Sequence, residues 1–279
     1  MDKKIQPLFD GDILLHEIGW STEFRDKDTK ENILLDAEHA ETLLKDKIKS
    51  VCYDVEATEP PVIYLSDSEW IAKKQKRPFV KGKRYELAKT RPYKGNRVNQ
   101  KPFHFYNLTA IMLADYDTVV ATDGYEADDL LCRDQYTGLQ KNSPISTIIC
   151  SRDKDVRICP GWHYSWECGQ QRAIGPVETD EIGWLEKREN GDVLGYGLSF
   201  FYYQCLVGDT ADYIPGLPGW GKAGAFNLLS ELKTKEDLFK AVKTAYKDQL
   251  GEQAKTYFNE QASLLWMYMD KDIVNGYAA

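Results

Sequence analysis

The sequence predicts an α/β fold, a mostly parallel sheet covered by helices, followed by a helical C-terminal region. Three observations carry this. Four apolar β-type runs each hand over to a carboxylate, helical stretches alternate with those runs, and the texture changes after about residue 180. Alternating strands and helices favour parallel pairing, and in open parallel sheets the ligand crevice lies outside the carboxyl ends of the strands. The acids that end the runs are therefore expected to converge.

Ile5 to Phe9 reads as a short buried strand delivering Asp10-Gly-Asp12, with Gly11 permitting a tight turn. A helical stretch from Ala37 to Ser50 follows. Pro61 to Ser66 is the next strand and runs into Asp67. After a helix over Phe103 to Asp115, Thr118 to Thr122 leads through an Asp-Gly turn to Glu126, Asp128 and Asp129, which open a helix reaching Gln140. Ser146 to Ser151 then leads to Asp153 and Asp155. Asp128 and Asp129 read either as helix-start acids, favoured there by the helix dipole, or as metal ligands. Asp153 and Asp155, spaced i, i+2, read either as an exposed turn or as two ligands from one loop.

Beyond these, Trp162 to Cys168 adds a strand and Ser199 onward is helical. The Gly/Pro-dense stretch 214–225 reads as a hairpin joining two helices, with Gly219 and Gly221 letting the backbone approach a partner; a plain tight turn is the other reading. Thr234 to Met269 has helical periodicity and is read as packing.

With 279 residues and 42% hydrophobic content the chain can bury a full core. Its apolar runs, such as Ile145 to Cys150 and Leu198 to Val207, are too short or interrupted to span a bilayer, and Met1-Asp-Lys-Lys precedes no hydrophobic signal region. Six scattered cysteines without CxxC pairing argue for reduced thiols. A cytoplasmic location is expected. The net charge of −8 hides a strong segregation: Lys73 to Lys101 carries twelve basic residues against Glu86 alone, +11, leaving −19 on the rest. Such a band is either a solvated face or a nucleic-acid footprint.

Seven carboxylates sit in three clusters, Glu126/Asp128/Asp129, Asp153/Asp155 and Asp209/Asp212. Unscreened carboxylates gathered together repel, so a fold that collects them raises their pKa values or binds metal. Oxygen ligands without neighbouring Cys or His suit Mg²⁺ or Mn²⁺ better than Zn²⁺.

Tyr125-Glu-Ala-Asp-Asp129, Ser151-Arg-Asp-Lys-Asp155 and Val207-Gly-Asp-Thr-Ala-Asp212, running on through Tyr213-Ile-Pro-Gly-Leu-Pro-Gly-Trp-Gly221, together resemble the flap endonuclease/5′–3′ exonuclease family, in particular its bacteriophage members and the 5′-nuclease domain of bacterial DNA polymerase I. The resemblance runs from Asp10 to about Leu229. It implies a PIN-like nuclease domain over residues 1–180 with a basic helical arch at about 70–101, and a helix-three-turn-helix DNA-binding domain over 181–279. It further implies two Mg²⁺ ions, replaceable by Mn²⁺, and K⁺ held by carbonyls at the hairpin. Asp10, Asp67, Glu126, Asp128 and Asp129 match the first metal group; Asp153, Asp155, Asp209 and Asp212 match the second. Tyr93-Lys94-Gly-Asn-Arg97 resembles the basic block of the arch, which places Lys94 and Arg97 at the scissile phosphate. Arg84, Arg91, Tyr93, Gly219, Gly221, Lys222 and Gly224 are expected to contact DNA. Lys154 stands where the family commonly has Gly, Asp12 is a neighbour of the ligands, and His16 or Trp20 occupies the region of a stacking aromatic.

The implied activity is metal-dependent hydrolysis of DNA phosphodiesters near 5′ ends, flaps or nicks by a monomer, leaving 5′-phosphate and 3′-hydroxyl. Two alternatives stand beside it: a 5′ nuclease acting on the RNA of RNA·DNA hybrids, and a structure-specific DNA-binding protein without turnover.

Overall fold

The computed structural model describes residues 4–97 and 100–269. In chain order the first elements are β1 (Lys4–Asp10), α1 (Gly11–Ser21), β2 (Glu23–Arg25), β3 (Asn32–Leu34), α2 (Ala37–Asp54), β4 (Val62–Ser66), α3 (Glu69–Lys74), α4 (Arg84–Leu87), α5 (Phe105–Asp115) and β5 (Asp117–Ala121). There follow α6 (Ala127–Gln140), β6 (Ile145–Cys150), β7 (Gly161–Ser165), β8 (Ile174–Thr179), β9 (Trp184–Lys187), β10 (Val193–Tyr196), α7 (Gly197–Val207), α8 (Lys222–Leu229), α9 (Lys235–Leu250) and α10 (Ala254–Leu265). The chain divides into two compact units. One comprises Met1–Val80, Asn99–Lys154 and Trp162–Val177; the other comprises Lys81–Val98, Asp155–Gly161 and Glu178–Ala279. This differs from a linear division at residue 180, because residues 81–98 and 155–161 group with the C-terminal part.

The first unit is built on a six-stranded sheet in the order β5-β4-β1-β6-β7-β8. Every pairing from β5 to β7 is parallel, with β1 between β4 (Leu8 opposite Val62) and β6 (Leu8 opposite Ile149). Burial on both faces explains the near-continuous apolar runs of β4 and β6. Phe9, Ile63, Leu65 and Ile148 of the sheet share one core with Leu14, Leu15 and Ile18 of α1 and with α2. The α2 contribution is a stripe of Ala40, Leu44, Ile48 and Val51, at helical spacing, capped by the Asp36 carboxylate accepting from His39 N–H at 2.8 Å. Each large side chain in that stripe contributes about 2 kcal/mol by leaving water. Gly11 lets α1 start hard against β4, since a Cβ there would lie 2.6 Å from the Tyr64 carbonyl oxygen.

In the second unit α7 is the spine. Its residues from Gly197 to Leu206 are all buried, as an aromatic-rich helix without a polar face must be. It packs with α8, α9, α10 and the antiparallel β9–β10 hairpin. Between α7 and α8 the chain makes consecutive turns over 208–221, where Gly208 has φ 74° and a Cβ would meet the Ile214 carbonyl at 2.3 Å. The periodic stretch after Thr234 is two helices, α9 and α10, parted at Gly251 with φ 56°.

The basic segment is not a continuous helical arch. Among its described residues only α3 and the four-residue α4 are helical, since Pro78, Pro92, Gly82 and Gly95 interrupt it; Val98 and Asn99 lie outside the described residues. Among the described residues no helix is long and apolar enough to cross a membrane.

Candidate functional site

In the first unit, β1, β4 and β6 end side by side and deliver their acids there. Asp10 closes β1 and caps α1, accepting from Ile13 N–H at 3.2 Å and from the Ser151 hydroxyl at 2.8 Å. It is only 5% exposed, and its carboxyl is pushed up to about 7, by burial first and then by the negative charges of Asp12 and Asp153; the two hydrogen bonds oppose this only in part. Asp12, in the first turn of α1, accepts from Ser66 N–H at the end of β4 at 3.2 and 3.3 Å. Ser151 also accepts from Asp153 N–H at 2.9 Å, which fixes the loop carrying Asp153 to the same hydroxyl that serves Asp10. Asp10, Asp12 and Asp153 are thus brought close enough to repel one another.

The other acids of this unit are held by protein donors. Asp67 receives both guanidinium nitrogens of Arg77, at 2.6 and 2.8 Å, and Ser68 N–H at 2.8 Å. Glu126 and Asp129 form a capping box at the start of α6, the Asp129 carboxylate accepting from Glu126 N–H at 2.9 Å while fully buried. Asp128 accepts from Asp129 N–H at 2.9 Å. The helix-start reading of this cluster is therefore realised in the geometry. Ser66 joins the two helix starts, since its hydroxyl accepts from Ala127 N–H at 2.9 Å while its own N–H serves Asp12. Among the described residues no three His, Cys, Asp or Glu side chains close on one point as ligands of an ion would. The donor chemistry nevertheless suits a hard divalent cation: the coupled acids offer carboxylate oxygen alone, and a cation would relieve the strain that burial places on Asp10.

In the second unit, Asp155 opens a 3₁₀ turn (Asp155–Ile158) and accepts from Gln204 Nε2 of α7 at 2.5 Å. Asp209 is buried just after α7 and accepts from Ala211 N–H at 2.8 Å. Asp212 gathers the basic block: the Tyr93 hydroxyl donates at 2.7 Å, Arg97 donates through Nη2, and Lys94 Nζ lies at 4.0 Å. The backbones lock as well, with Lys94 N–H on Asp212 O at 2.9 Å and Asn96 Nδ2 on Thr210 O at 2.9 Å. Lys94 takes φ 53°, a left-handed conformation within the turn over 93–96. Arg91 lies over the Tyr213 ring at 5.1 Å.

Two of the expected DNA contacts are corrected. Arg84 is 2% exposed, its guanidinium donating to the carbonyls of Leu264 at 3.0 Å and Trp266 at 2.7 Å, so it closes the C-terminal end of α10 and does not face solvent. Tyr93 is 4% exposed and packs edge-on against Tyr85, so its ring supports the Lys94 turn. Lys222, at the start of α8, is exposed and pairs with Asp192 at 2.6 Å. Gly221, the residue that caps α8, has open space where a Cβ would stand, and Gly219 at φ 83° meets only the tip of Gln249 at 3.8 Å. The Cβ position of Gly224 is 3.7 Å from the Trp220 ring. In the first unit the His16 ring packs on Phe105 at 5.3 Å, while Trp20 is 39% exposed.

Sequence reasoning missed Ser66, Ser151 and Gln204 as partners of the acids and Arg77 as the cation on Asp67. A serine ending β4 and another directly after β6 were the available sign.

No family model matches the chain. The DNA polymerase I of Borreliella burgdorferi is 30% identical over 120 residues, covering 42% of this chain and 12% of that protein. The DNA polymerase I of Deinococcus radiodurans is 27% identical over 138 residues, covering 50% and 13%. The match thus spans about an eighth of each polymerase. Among solved structures, the bacteriophage T5 flap endonuclease in a complex with DNA and metal ions aligns with TM-score 0.52 at 15% identity, covering 99% of this chain and 91% of that one. The T5 5′-exonuclease with bound zinc aligns with TM-score 0.51 at 15% identity, covering 99% and 97%. The mixed α/β architecture with its central parallel sheet is that of the PIN-like flap nucleases. The chain resembles the T5 flap endonuclease and 5′-exonuclease in fold, and DNA polymerase I in sequence, in accord with the resemblance of its acidic blocks.

Proposed function

We propose that the chain is a divalent-metal-dependent 5′–3′ exonuclease and flap endonuclease that hydrolyses DNA phosphodiesters near 5′ ends. One observation carries the reading: three carboxylates from two strand ends are forced together, with Asp10 buried deeply enough for its carboxyl to be pushed up to about 7. A fold keeps such a cluster at a cost of a few kcal/mol when a cation or a proton transfer gives it use. The T5 flap endonuclease named above, solved with DNA and metal ions, supports the choice of a cation, and the DNA polymerase I match supports DNA as the substrate.

By resemblance Asp10, Asp67, Glu126, Asp128 and Asp129 would hold one Mg²⁺ or Mn²⁺ and Asp153, Asp155, Asp209 and Asp212 the other; the charges of Asp12 and Asp153 on Asp10 support placing a cation beside these three. Bound divalent cations supply phosphate polarisation and a water of lowered pKa. The chain's own groups do the rest. Ser151 and Ser66 orient Asp10 and Asp12, and Lys94 and Arg97 offset charge on the phosphate oxygens. The open backbone at Gly219 and Gly221, with the N-terminus of α8, would take duplex phosphates without reading bases, and K⁺ is assigned to the carbonyls of the same turns.

The test is incubation with nicked, flapped, recessed and RNA·DNA hybrid substrates labelled at either end, with Mg²⁺, Mn²⁺ or chelator. Metal-dependent release of short 5′ products from DNA supports the proposal. Binding without products in any metal, or cleavage confined to the RNA strand, overturns it.

A further inference from the structure

The second unit contains a cavity that the proposed chemistry does not use. It lies where α9 and α10 meet beside the turn at Gly251 and encloses about 210 Å³. That exceeds the roughly 150 Å³ cavity that admits a benzene ring. Its floor is an aromatic cluster already in place before any ligand arrives: Phe258 packs edge-on against Tyr246 at 5.1 Å and tilts against Phe239 at 6.1 Å. Tyr246 is anchored from behind, its hydroxyl donating to the Cys205 carbonyl of α7. Phe239 is half-buried and Phe258 is 6% exposed, so the floor is apolar and held by packing on its inner side.

The mouth is cationic. Lys243 and Lys247 stand one turn apart on α9 and Lys255 rises from the first turn of α10. Lys243 Nζ lies 5.5 Å over the Phe239 ring. Among the described residues none of these three lysines has a carboxylate within salt-bridge distance, although Glu252 shares the rim. Three like charges around an apolar opening repel one another, and an anion carrying a flat ring would satisfy both features at once. Asn259 supplies a single amide at the edge, which can meet any base but select none.

The neighbouring face of α10 holds the basic segment. Glu260 accepts from Lys89 N–H at 2.7 Å and from Thr90 N–H at 2.6 Å and its hydroxyl at 2.7 Å. Asn259 and Glu260 are adjacent, about 100° apart around the helix axis. A polyanion held at the exposed Lys89 and Arg91 therefore lies on the same helix, α10, that borders the cavity.

We propose that this cavity is a base-stacking subsite for single-stranded DNA, one base entering over the Phe239 and Phe258 rings while its flanking phosphates lie among Lys243, Lys247 and Lys255. The choice of a displaced strand as occupant rests on the nuclease reading. Stacking platforms beside cationic rims suit sequence-tolerant capture of this kind.

The probe is an oligothymidylate carrying one 2-aminopurine, titrated without metal at several salt concentrations. The wild-type protein is expected to quench the 2-aminopurine on binding. The triple charge reversal K243E/K247E/K255E, confined to exposed positions, is expected to weaken binding about 10-fold or more at low salt and to flatten the salt slope by about 2, the value for three lost phosphate contacts on a single strand. Phe239→Leu is expected to lose the quenching while keeping the salt slope. Unchanged affinity and slope in the triple variant, or quenching that persists in Phe239→Leu, overturns the proposal; so does preferential binding of an acidic peptide ending in phenylalanine. Cleavage of a nicked, blunt-ended duplex bearing no single strand is measured in parallel, so that a failed nuclease reading and a failed subsite are told apart.

Discussion

Replacing Asp10 by Asn should stabilise the metal-free protein, and by an amount that depends on pH. The Asp10 carboxyl is raised from an ordinary 3.8 to about 7, by burial and then by Asp12 and Asp153. Between those values the folded protein keeps a proton that the unfolded chain has released, so stability falls as pH rises from about 4 and levels off above about 7. At about 1.36 kcal/mol for each pH unit, the penalty is about 2 kcal/mol at pH 5 and about 4 kcal/mol by pH 8. Asn carries no charge, keeps one oxygen to accept from Ile13 N–H, and turns its amide NH2 toward the Ser151 oxygen in place of the second carboxylate oxygen. Urea unfolding in chelator at pH 5, 6, 7 and 8 should therefore show Asp10→Asn above wild type by a margin that widens by about 2 kcal/mol across the range. Adding Mn²⁺ should then raise wild type by about 2.7 kcal/mol at a hundredfold excess over its dissociation constant and leave the variant nearly unmoved. A margin that is constant with pH, or equal stabilisation of both proteins by Mn²⁺, would refute the reasoning.

Four further outcomes are expected. Arg77→Gln, which frees Asp67 of its bidentate partner, should lower the half-saturating Mn²⁺ concentration several-fold in calorimetry; an unchanged value would remove Asp67 from the ligand set. Lys94→Ala should slow single-turnover cleavage by 10²-fold or more with little loss of duplex affinity, and a change confined to affinity would displace it from the reacting phosphate. Arg84→Met should cost about 3 kcal/mol in urea unfolding, because two buried carbonyls at the end of α10 lose their donors, while duplex binding per folded molecule stays the same. Gly208→Ala should cost a few kcal/mol, read as a lowered Tm, since its φ of 74° and the 2.3 Å approach to Ile214 O leave no place for a methyl group.

What the sequence made legible was local. Each of the four β-runs is a strand of one parallel sheet, and Asp10 and Asp67 stand at the ends read for them, because a buried parallel strand must be apolar along its length and must stop where charge begins. The partners were not legible. Arg84 sits among eleven other basic residues, and nothing near it in the chain signals that its guanidinium is claimed by carbonyls about 180 positions away. Tyr93 had the same difficulty, its hydroxyl being committed to Asp212 across 119 positions. Asp128 and Asp129 were legible as helix-start acids, one of two readings, whereas the capping box that pairs Asp129 with Glu126 was not anticipated. The short β2–β3 and β9–β10 hairpins lack a strong period-two pattern and were not anticipated.

The central place of β1 has a consequence for biosynthesis. Its register joins Leu8 to Ile149, so during synthesis β1 gains its second neighbour in the sheet only after β6, far along the sequence, has followed. Until then Asp10 has neither the Ser151 hydroxyl nor the Asp153 charge beside it, and loop closure on that scale is slow. A nascent or truncated chain consequently lacks the acidic cluster around Asp10, which assembles only once the sheet has closed.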